Sequence, residues 1–265
     1  MNWLTRFRFK VGRVESKSKW RKHFFVFWRL ALCLWLVLLA WPVKFRATRG
    51  AEFLLVLILW CGGLCILGSW RALRLALLSA GVFAVMMLSL PGRDTSPSEL
   101  RVRYLRELRR FEGTRYVWGG ENSLGIDCSG LVRRAFINAL WKEGFQSLNP
   151  RLLRSALTLW WHDNSARALA AEFRGLTVRI GSVDSLLPET PPWLAPGDLA
   201  VTDDGIHVLA YLGNGLWIEA DPDIGRVTFL PVASRTNESN IWLSVPVTIV
   251  RWRMLQDAGD LNLSD

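Results

Sequence analysis

The sequence predicts an α+β domain that follows three transmembrane helices. Residues 24–90 are mostly apolar, whereas residues from about 95 to 255 have the mixed composition of a globular domain. In that second region helical periodicities come first, and strand-like runs begin at Asp198. Helices followed by strands favour an α+β fold over an alternating βαβ arrangement. The 265-residue chain is therefore expected to form a membrane part and one soluble core.

The N-terminal segment, residues 1–23, is strongly basic and contributes much of the formal net charge of +10. A basic tract can bind nucleic acid. Directly before an apolar span, however, it is typical of a cytoplasmic flank that meets anionic lipid headgroups. We therefore expect membrane lipids, and no nucleic acid, as partners of this segment. Its basic residues include Arg6, Arg8, Lys10, Arg13, Lys17, Lys19, Arg21 and Lys22.

Three apolar stretches are candidates for membrane helices, at about residues 24–42, 53–70 and 74–90. A cleaved signal peptide is the alternative for the first stretch, but its length, the missing cleavage site and the later spans favour an anchor. With the basic segment inside, three spans predict a multi-pass protein of the cytoplasmic membrane. Residues from 91 onward are then extracytoplasmic, on the periplasmic or cell-wall side. Five arginines between positions 101 and 110 do not fit this orientation, because basic residues near a membrane span favour the cytoplasmic side.

Periodicity and turn residues predict the elements of the soluble part. A linker with Pro and Ser at 91–100 leads into a basic amphipathic helix over 98–112. Another helix begins at Cys128 and stops at Gly144, and residues 150–175 are again helical in pattern. Residues 176–197 are predicted to be a loop. Strand-like runs, several of them separated by Gly and Asp or Asn turns, follow at 199–204, 207–215, 216–221, 226–232 and 247–254.

Cys128 is the candidate nucleophile because it is the single cysteine of the soluble part. A thiol attacks as the thiolate, and its pKa is lowered at helix N-termini and beside histidine. The helix dipole alone contributes only about 0.3–1 kcal/mol, so a nearby imidazolium is needed. The soluble part offers His162, interpreted as a surface or capping residue, and His207 at the start of a strand. The other cysteines lie in apolar runs, at Cys33, Cys61 and Cys65.

A third polar residue is expected across the hairpin that follows His207. If its turn is centred on Gly213, His207 lies opposite Glu219 and both side chains face one side of the sheet. A one-residue slip would send Glu219 into the apolar side, and a two-residue slip would offer Asp221 instead. The first register makes Glu219 the preferred third residue, with Asp221 as the alternative.

Two segments together resemble the NlpC-type papain-like cysteine peptidases, over roughly residues 100–255. They are YVWGGENSLGIDCSGLVRRAF at 116–136 and LAPGDLAVTDDGIHVLAYLGNGLWIEA at 194–220. The resemblance implies a nucleophile helix packed on an antiparallel sheet, with Cys128 as nucleophile and His207 as general base. It also places Tyr116, Asp127 and Ser129 at the substrate site.

The glycines and the helix start add to this prediction. Gly119 and Gly120 let the backbone approach a substrate closely, or else serve only as turn residues. Backbone N–H groups near Ser129, at the start of the helix, can stabilise the oxyanion that forms on attack. We expect no metal ion and no cofactor.

Two departures from the family pattern stand out. The third polar position usually holds histidine, and here it is Glu219; a carboxylate can orient the imidazole and stabilise its charged form. Residues 142–195 are longer than the family core needs, so we expect a surface insertion or a Trp-rich substrate lid within a domain over 101–255, ahead of a tail at 256–265.

The resemblance implies a membrane-anchored cysteine peptidase that hydrolyses peptidoglycan stem peptides, with the γ-D-glutamyl–diamino acid bond as the expected target. One alternative is a membrane-associated amidase or acyltransferase acting on a lipid or acylated substrate. Relatives with that chemistry place His before Cys, which is the reverse of the order here. A non-catalytic cell-wall-binding scaffold is the other alternative, and retention of both Cys128 and His207 argues against it. The sequence identifies no protein partner.

Overall fold

A computed structural model describes residues 3–67, 70–162, 165–187, 191–232 and 240–256. The chain divides into two compact units. The first contains residues 1–41 and 47–83, and the second contains residues 42–46 and 84–265. The short segment between the first two long helices is therefore part of the second unit.

The three predicted membrane spans are present as helices long and apolar enough to cross a bilayer: α1 (Trp3–Ala40), α2 (Arg46–Ile66) and α3 (Arg71–Ser89). In α1 the apolar window is Lys22–Ala40. Within the first unit, the Trp28 indole N–H donates to the carbonyl of Leu59 at 3.1 Å. A Cβ at Gly62 would lie 2.4 Å from the Trp28 ring, so α1 and α2 pack closely only because this position has no side chain.

The second unit begins with helices that match the predicted order. They are α4 (Pro97–Arg109), α5 (Cys128–Gln146), α6 (Pro150–Trp161), α7 (Ala166–Ala170) and, near the end of the chain, α8 (Ile241–Ser244). Helix α5 continues past Gly144, where we had expected it to stop. A Cβ at Gly144 would lie 2.6 Å from the Leu153 side chain, so this glycine allows α6 to pack on α5.

The strands form a two-stranded and a six-stranded antiparallel sheet, and the predicted α+β class is confirmed. The small sheet pairs β1 (Glu121–Asn122) with β2 (Gly125–Ile126). The large sheet has the order β3-β8-β4-β5-β6-β7. Its strands are β3 (Thr177–Val183), β4 (Leu199–Thr202), β5 (Val208–Gly213), β6 (Leu216–Asp221), β7 (Arg226–Pro231) and β8 (Val247–Trp252).

Apolar side chains cover both faces of the large sheet. On one face α4 and α5 pack against it through Tyr104, Phe136 and Trp252, and the Phe136 and Trp252 rings stack at 4.6 Å between centroids. On the other face a second cluster includes Trp217 of β6 and Leu243 of α8. Central strands are therefore buried on both sides, and α5 packs against one face of the sheet.

Part of the segment predicted as loop and insertion is a strand of the main sheet. Strand β3 pairs antiparallel with β8, with a bulge between Arg179 and Gly181. As an edge strand it has only one fully buried residue, Thr177, so its sequence lacks the apolar alternation of a half-buried strand. The prediction of a loop over 176–197 is wrong for these seven residues.

The predicted hairpin register is wrong by two residues. Tyr211 pairs with Trp217 and Ala210 with Ile218, so the turn lies later, at Asn214 and Gly215. A two-residue slip leaves every side chain on its predicted face, so the apolar pattern could not distinguish the two registers. If the observed register is continued to His207, Asp221 lies directly opposite His207 on the neighbouring strand and Glu219 lies diagonally across from it.

Candidate active site

Cys128 is the first residue of α5, and Asp127 caps that helix. The Asp127 carboxylate accepts hydrogen bonds from the N–H of Gly130 at 2.6 Å, the N–H of Gly119 at 2.8 Å and the hydroxyl of Ser129 at 3.0 Å. Burial raises the pKa of Asp127, and these three donors counteract the rise. The cap thus fixes the helix start that carries the thiol, as predicted for a residue near this position.

The glycine loop before α5 packs tightly against the helix start. A Cβ at Gly130 would lie 2.1 Å from the carbonyl oxygen of Gly120, and one at Gly120 would lie 2.5 Å from the carbonyl oxygen of Gly125. Gly119 has φ of +71°, a conformation that glycine adopts without strain. Because they have no side chains, these glycines allow the backbone of the loop to pack directly against the backbone at the start of α5, next to Cys128.

His207 and Glu219 form a buried hydrogen-bonded pair. The imidazole Nε2 lies 2.6 Å from the Glu219 carboxylate, and the two side chains are 3% and 0% exposed. Burial lowers the pKa of His207, but its interactions with Cys128 and with Glu219 outweigh burial and raise that pKa from 6.5 to about 9. Since Nε2 is taken by the carboxylate, Nδ1 is the ring nitrogen that can exchange a proton with the thiol.

Two residues near the C-terminus, which the sequence did not reveal, hold this pair in place. The Asn240 amide donates to the second oxygen of Glu219 at 3.0 Å. The Trp242 ring stacks on the His207 ring, with centroids 4.3 Å apart and an interplanar angle of 21°. Both residues belong to α8 and its cap, more than 20 positions beyond Glu219, and no sequence pattern linked them to the site.

The alternative third residue, Asp221, has another role. Its Oδ1 accepts from the N–H groups of Asp223 and Ile224 at 2.6 and 2.9 Å, which closes the turn between β6 and β7. His162 follows α6 as its C-terminal cap residue, with its N–H donating to the Thr158 carbonyl. The cap position predicted for His162 agrees with this placement.

A cavity of about 400 Å³ opens beside the thiol. Among its lining residues are Tyr116, Gly119, Asp127, Cys128 and Ser129, five of the eight site residues predicted from the sequence; the other three, Gly120, His207 and Glu219, are buried outside the lining. The lining also contains Lys44, Trp118, Glu121, Ser165, Ala166, Arg167, Gly205 and Ile206.

Tyr116 is positioned as a hydrogen-bond donor in this cavity. Burial, followed by the negative charges of Cys128 and Asp127, raises the pKa of its phenol to about 12. The hydroxyl therefore keeps its proton at physiological pH.

Within the described part of the chain, no group of three or more His, Cys, Asp or Glu side chains is arranged to hold a metal ion.

The arrangement can support covalent catalysis by a thiol. The Cys128 sulfur lies at a helix N-terminus and beside an imidazole whose pKa is raised, and both features stabilise a thiolate. The first N–H groups of a helix have no acceptor within it. The Asp127 carboxylate accepts the hydrogen bond of the Gly130 N–H, so the N–H groups of Cys128 and Ser129 can donate hydrogen bonds to an oxyanion.

Comparisons with known proteins confirm the resemblance stated from the sequence. Residues 113–143 match the model of the NlpC/P60 family. The chain is 32% identical over 133 residues to the peptidoglycan endopeptidase RipB of Mycobacterium tuberculosis. The matched region covers 45% of this chain and 43% of that protein. The chain thus spans less than half the length of this curated relative.

Two solved structures are similar at lower identity. The structure of RipB from M. tuberculosis is 23% identical, with a TM-score of 0.37 over 61% of this chain and 67% of that one. NlpC1 from Trichomonas vaginalis is 18% identical, with a TM-score of 0.39 over 61% of this chain and 46% of that one.

Proposed function

We propose that this chain, whose residues around the candidate nucleophile match the NlpC/P60 family, is a membrane-anchored cysteine peptidase that hydrolyses peptidoglycan stem peptides. The observation that carries the proposal is the juxtaposition of Cys128 with the buried His207–Glu219 pair, beside a cavity that the thiol lines. The similarity to a peptidoglycan endopeptidase supports the substrate class.

 In the proposed triad the Glu219 carboxylate orients the His207 imidazole, the imidazole takes the proton of the Cys128 thiol, and the peptide binds in the cavity that this thiol lines.

The first half of the reaction forms a thioester. The Cys128 thiol transfers its proton to Nδ1 of His207, and the thiolate attacks the carbonyl carbon of the scissile amide. The oxyanion that develops accepts hydrogen bonds from the N–H groups of Cys128 and Ser129. The imidazolium, held by Glu219, then donates its proton to the leaving amine as the carbon–nitrogen bond breaks.

The second half releases the acyl group. A water molecule replaces the departed amine, and the neutral His207 removes a proton from it as it attacks the thioester carbonyl. The thiolate leaves from the tetrahedral intermediate and is stabilised again by the imidazolium. In both halves Glu219 keeps one oxygen on His207 and the other on Asn240.

The membrane helices support an extracytoplasmic site of action. Three helices long and apolar enough to span a bilayer precede residue 90, and a basic segment precedes the first of them. With that segment in the cytoplasm, an odd number of spans places the second unit on the cell-wall side, where peptidoglycan is found.

The test is hydrolysis of purified muropeptides by the full-length protein, followed by mass spectrometry of the new termini. We expect cleavage at the γ-D-glutamyl–diamino acid bond. Cys128→Ala and Cys128→Ser should fold normally and lose turnover by orders of magnitude, since the covalent nucleophile is gone. Hydrolysis by Cys128→Ala at nearly the wild-type rate would refute the proposal.

A further inference from the structure

The segment between the first two membrane helices lies against the candidate active site. Residues 42–46 belong to the second unit, together with the glycine loop before α5. The Lys44 N–H donates to the carbonyl of Gly119 at 3.2 Å, and the Glu121 N–H donates to the carbonyl of Pro42 at 3.0 Å. Between these bonds, Val43 and Gly120 form an antiparallel bridge. The interspan segment, Pro42–Arg46, therefore pairs with the glycine loop as a short strand.

Side chains reinforce this backbone pairing. A Cβ at Gly119 would lie 3.3 Å from a methyl group of Val43, and one at Gly125 would lie 3.2 Å from the Pro42 ring. The two segments thus meet at van der Waals distance on both sides of the bridge. The loop that carries the substrate-facing backbone of Gly119 is held in part by the interspan segment.

Membrane topology is compatible with this contact in either orientation of the chain. Two spans, α2 and α3, separate the interspan segment from residue 90. An even number of crossings returns the chain to the side from which it started. The interspan segment and the soluble domain therefore lie on the same side of the membrane.

The interspan segment also contributes a cation to the cavity. Lys44 is half-buried and lines the cavity together with Cys128. Two acidic residues line it as well, and both have strong partners: Glu121 binds the buried guanidinium of Arg133 at 2.8 Å, and Asp127 accepts from three donors in the cap of α5. The side chain of Lys44 thus brings a positive charge to the wall of the cavity that the thiol also lines.

We propose that Lys44 of the interspan segment is part of the substrate site and that it binds a carboxylate of the substrate close to the scissile bond. This inference rests on the proposed peptidase function and adds to it the class of group that is recognised. Stem peptides of peptidoglycan carry free carboxylates on their D-glutamyl and diamino acid residues, and an ammonium group forms a charge-assisted hydrogen bond with such a group.

The experiment compares Lys44→Gln with two matched variants in the full-length protein in detergent. Lys44→Arg keeps the charge, and Arg46→Gln removes an exposed cation of the same segment that does not line the cavity. Each protein is assayed on a muropeptide with free carboxylates and on its amidated counterpart. The backbone bond of Lys44 is retained in every variant.

We expect Lys44→Gln to lose about 10- to 100-fold in kcat/KM on the free-carboxylate peptide, mainly through KM, which is the range for one hydrogen bond to a charged group. On the amidated peptide, Lys44→Gln and the wild type should be equal. Lys44→Arg should recover most of the loss, and Arg46→Gln should behave as wild type. An equal loss on both peptides, or no loss on either, would overturn the inference.

Binding of the intact peptides in the Cys128→Ala background separates this inference from the peptidase proposal. If wild type cleaves neither peptide but binding of the free-carboxylate peptide depends on Lys44, only the peptidase proposal fails. If the peptides are cleaved without any dependence on Lys44, only the present inference fails. Neither cleavage nor binding would refute both.

Discussion

Glu219→Gln is the change that tests the buried pair most directly. The substitution preserves the shape of the side chain and one oxygen, but it removes the negative charge that faces His207 at 2.6 Å. The pKa of His207 is raised from 6.5 to about 9, with burial opposing the rise and the interactions with Cys128 and Glu219 causing it. At about 1.4 kcal/mol per pH unit, the protonated imidazole is stabilised by on the order of 3 kcal/mol.

The sign of the pH dependence follows from this rise. A raised folded-state pKa stabilises the protein fully below the unfolded value near 6.5, and the stabilisation is lost as the pH rises through about 9. The stability difference between wild type and Glu219→Gln should therefore shrink between pH 6.5 and 9. In activity, the alkaline limb of kcat/KM should move to lower pH by about 1 to 3 units, the usual effect of an adjacent opposite charge.

Turnover should fall as well, by roughly 100-fold or more, since general acid–base catalysis is impaired. Glu219→His should be milder because the related peptidases usually have histidine at this position. The assays are the pH profile of muropeptide hydrolysis and the rate of Cys128 alkylation by iodoacetamide, followed by mass spectrometry of the Cys128 peptide. The alkylation rate reports the thiolate without any substrate.

Asp221→Asn is the matched control. The asparagine oxygen can still accept from the N–H groups of Asp223 and Ile224, so the turn after β6 should persist. We expect its pH profile to match wild type. A crippled Asp221→Asn beside a normal Glu219→Gln would refute the assignment of the third residue.

Two further outcomes follow from the structure. Asn240→Asp keeps the oxygen that caps α8 but replaces the amide that donates to Glu219 with a second carboxylate. In chemical denaturation this variant should be less stable than wild type by about 1–3 kcal/mol, and its kcat should be lower. Unchanged stability and kcat would contradict the positioning role of Asn240. A reporter active only in the cytoplasm, fused after Asp265, should give no signal if the second unit is extracytoplasmic, whereas a strong signal would reverse the topology and remove access to the cell wall.

Several features could be predicted from the sequence because they depend on local chemistry. Apolar length alone identified the three spans, since a helix must bury its backbone polar groups when it crosses a bilayer. The start of α5 followed from Asp127, Cys128 and the apolar period after them. Five of the six strands of the large sheet were visible as short apolar runs between turn residues. Five of the residues that line the cavity around the thiol followed from the motif at 116–129.

The rest was decided by tertiary structure, because it depends on which segments meet in space. Strand β3 is an edge strand with little apolar signal, and only its pairing with β8 defines it. The hairpin register differs from the predicted one by two residues, a shift that no inside–outside pattern can detect. Glu219 still reaches His207, but on the diagonal and with Asn240 on its second oxygen. Lys44 comes from 84 residues before Cys128 in the sequence, so only the fold of the interspan segment could bring its charge to the cavity.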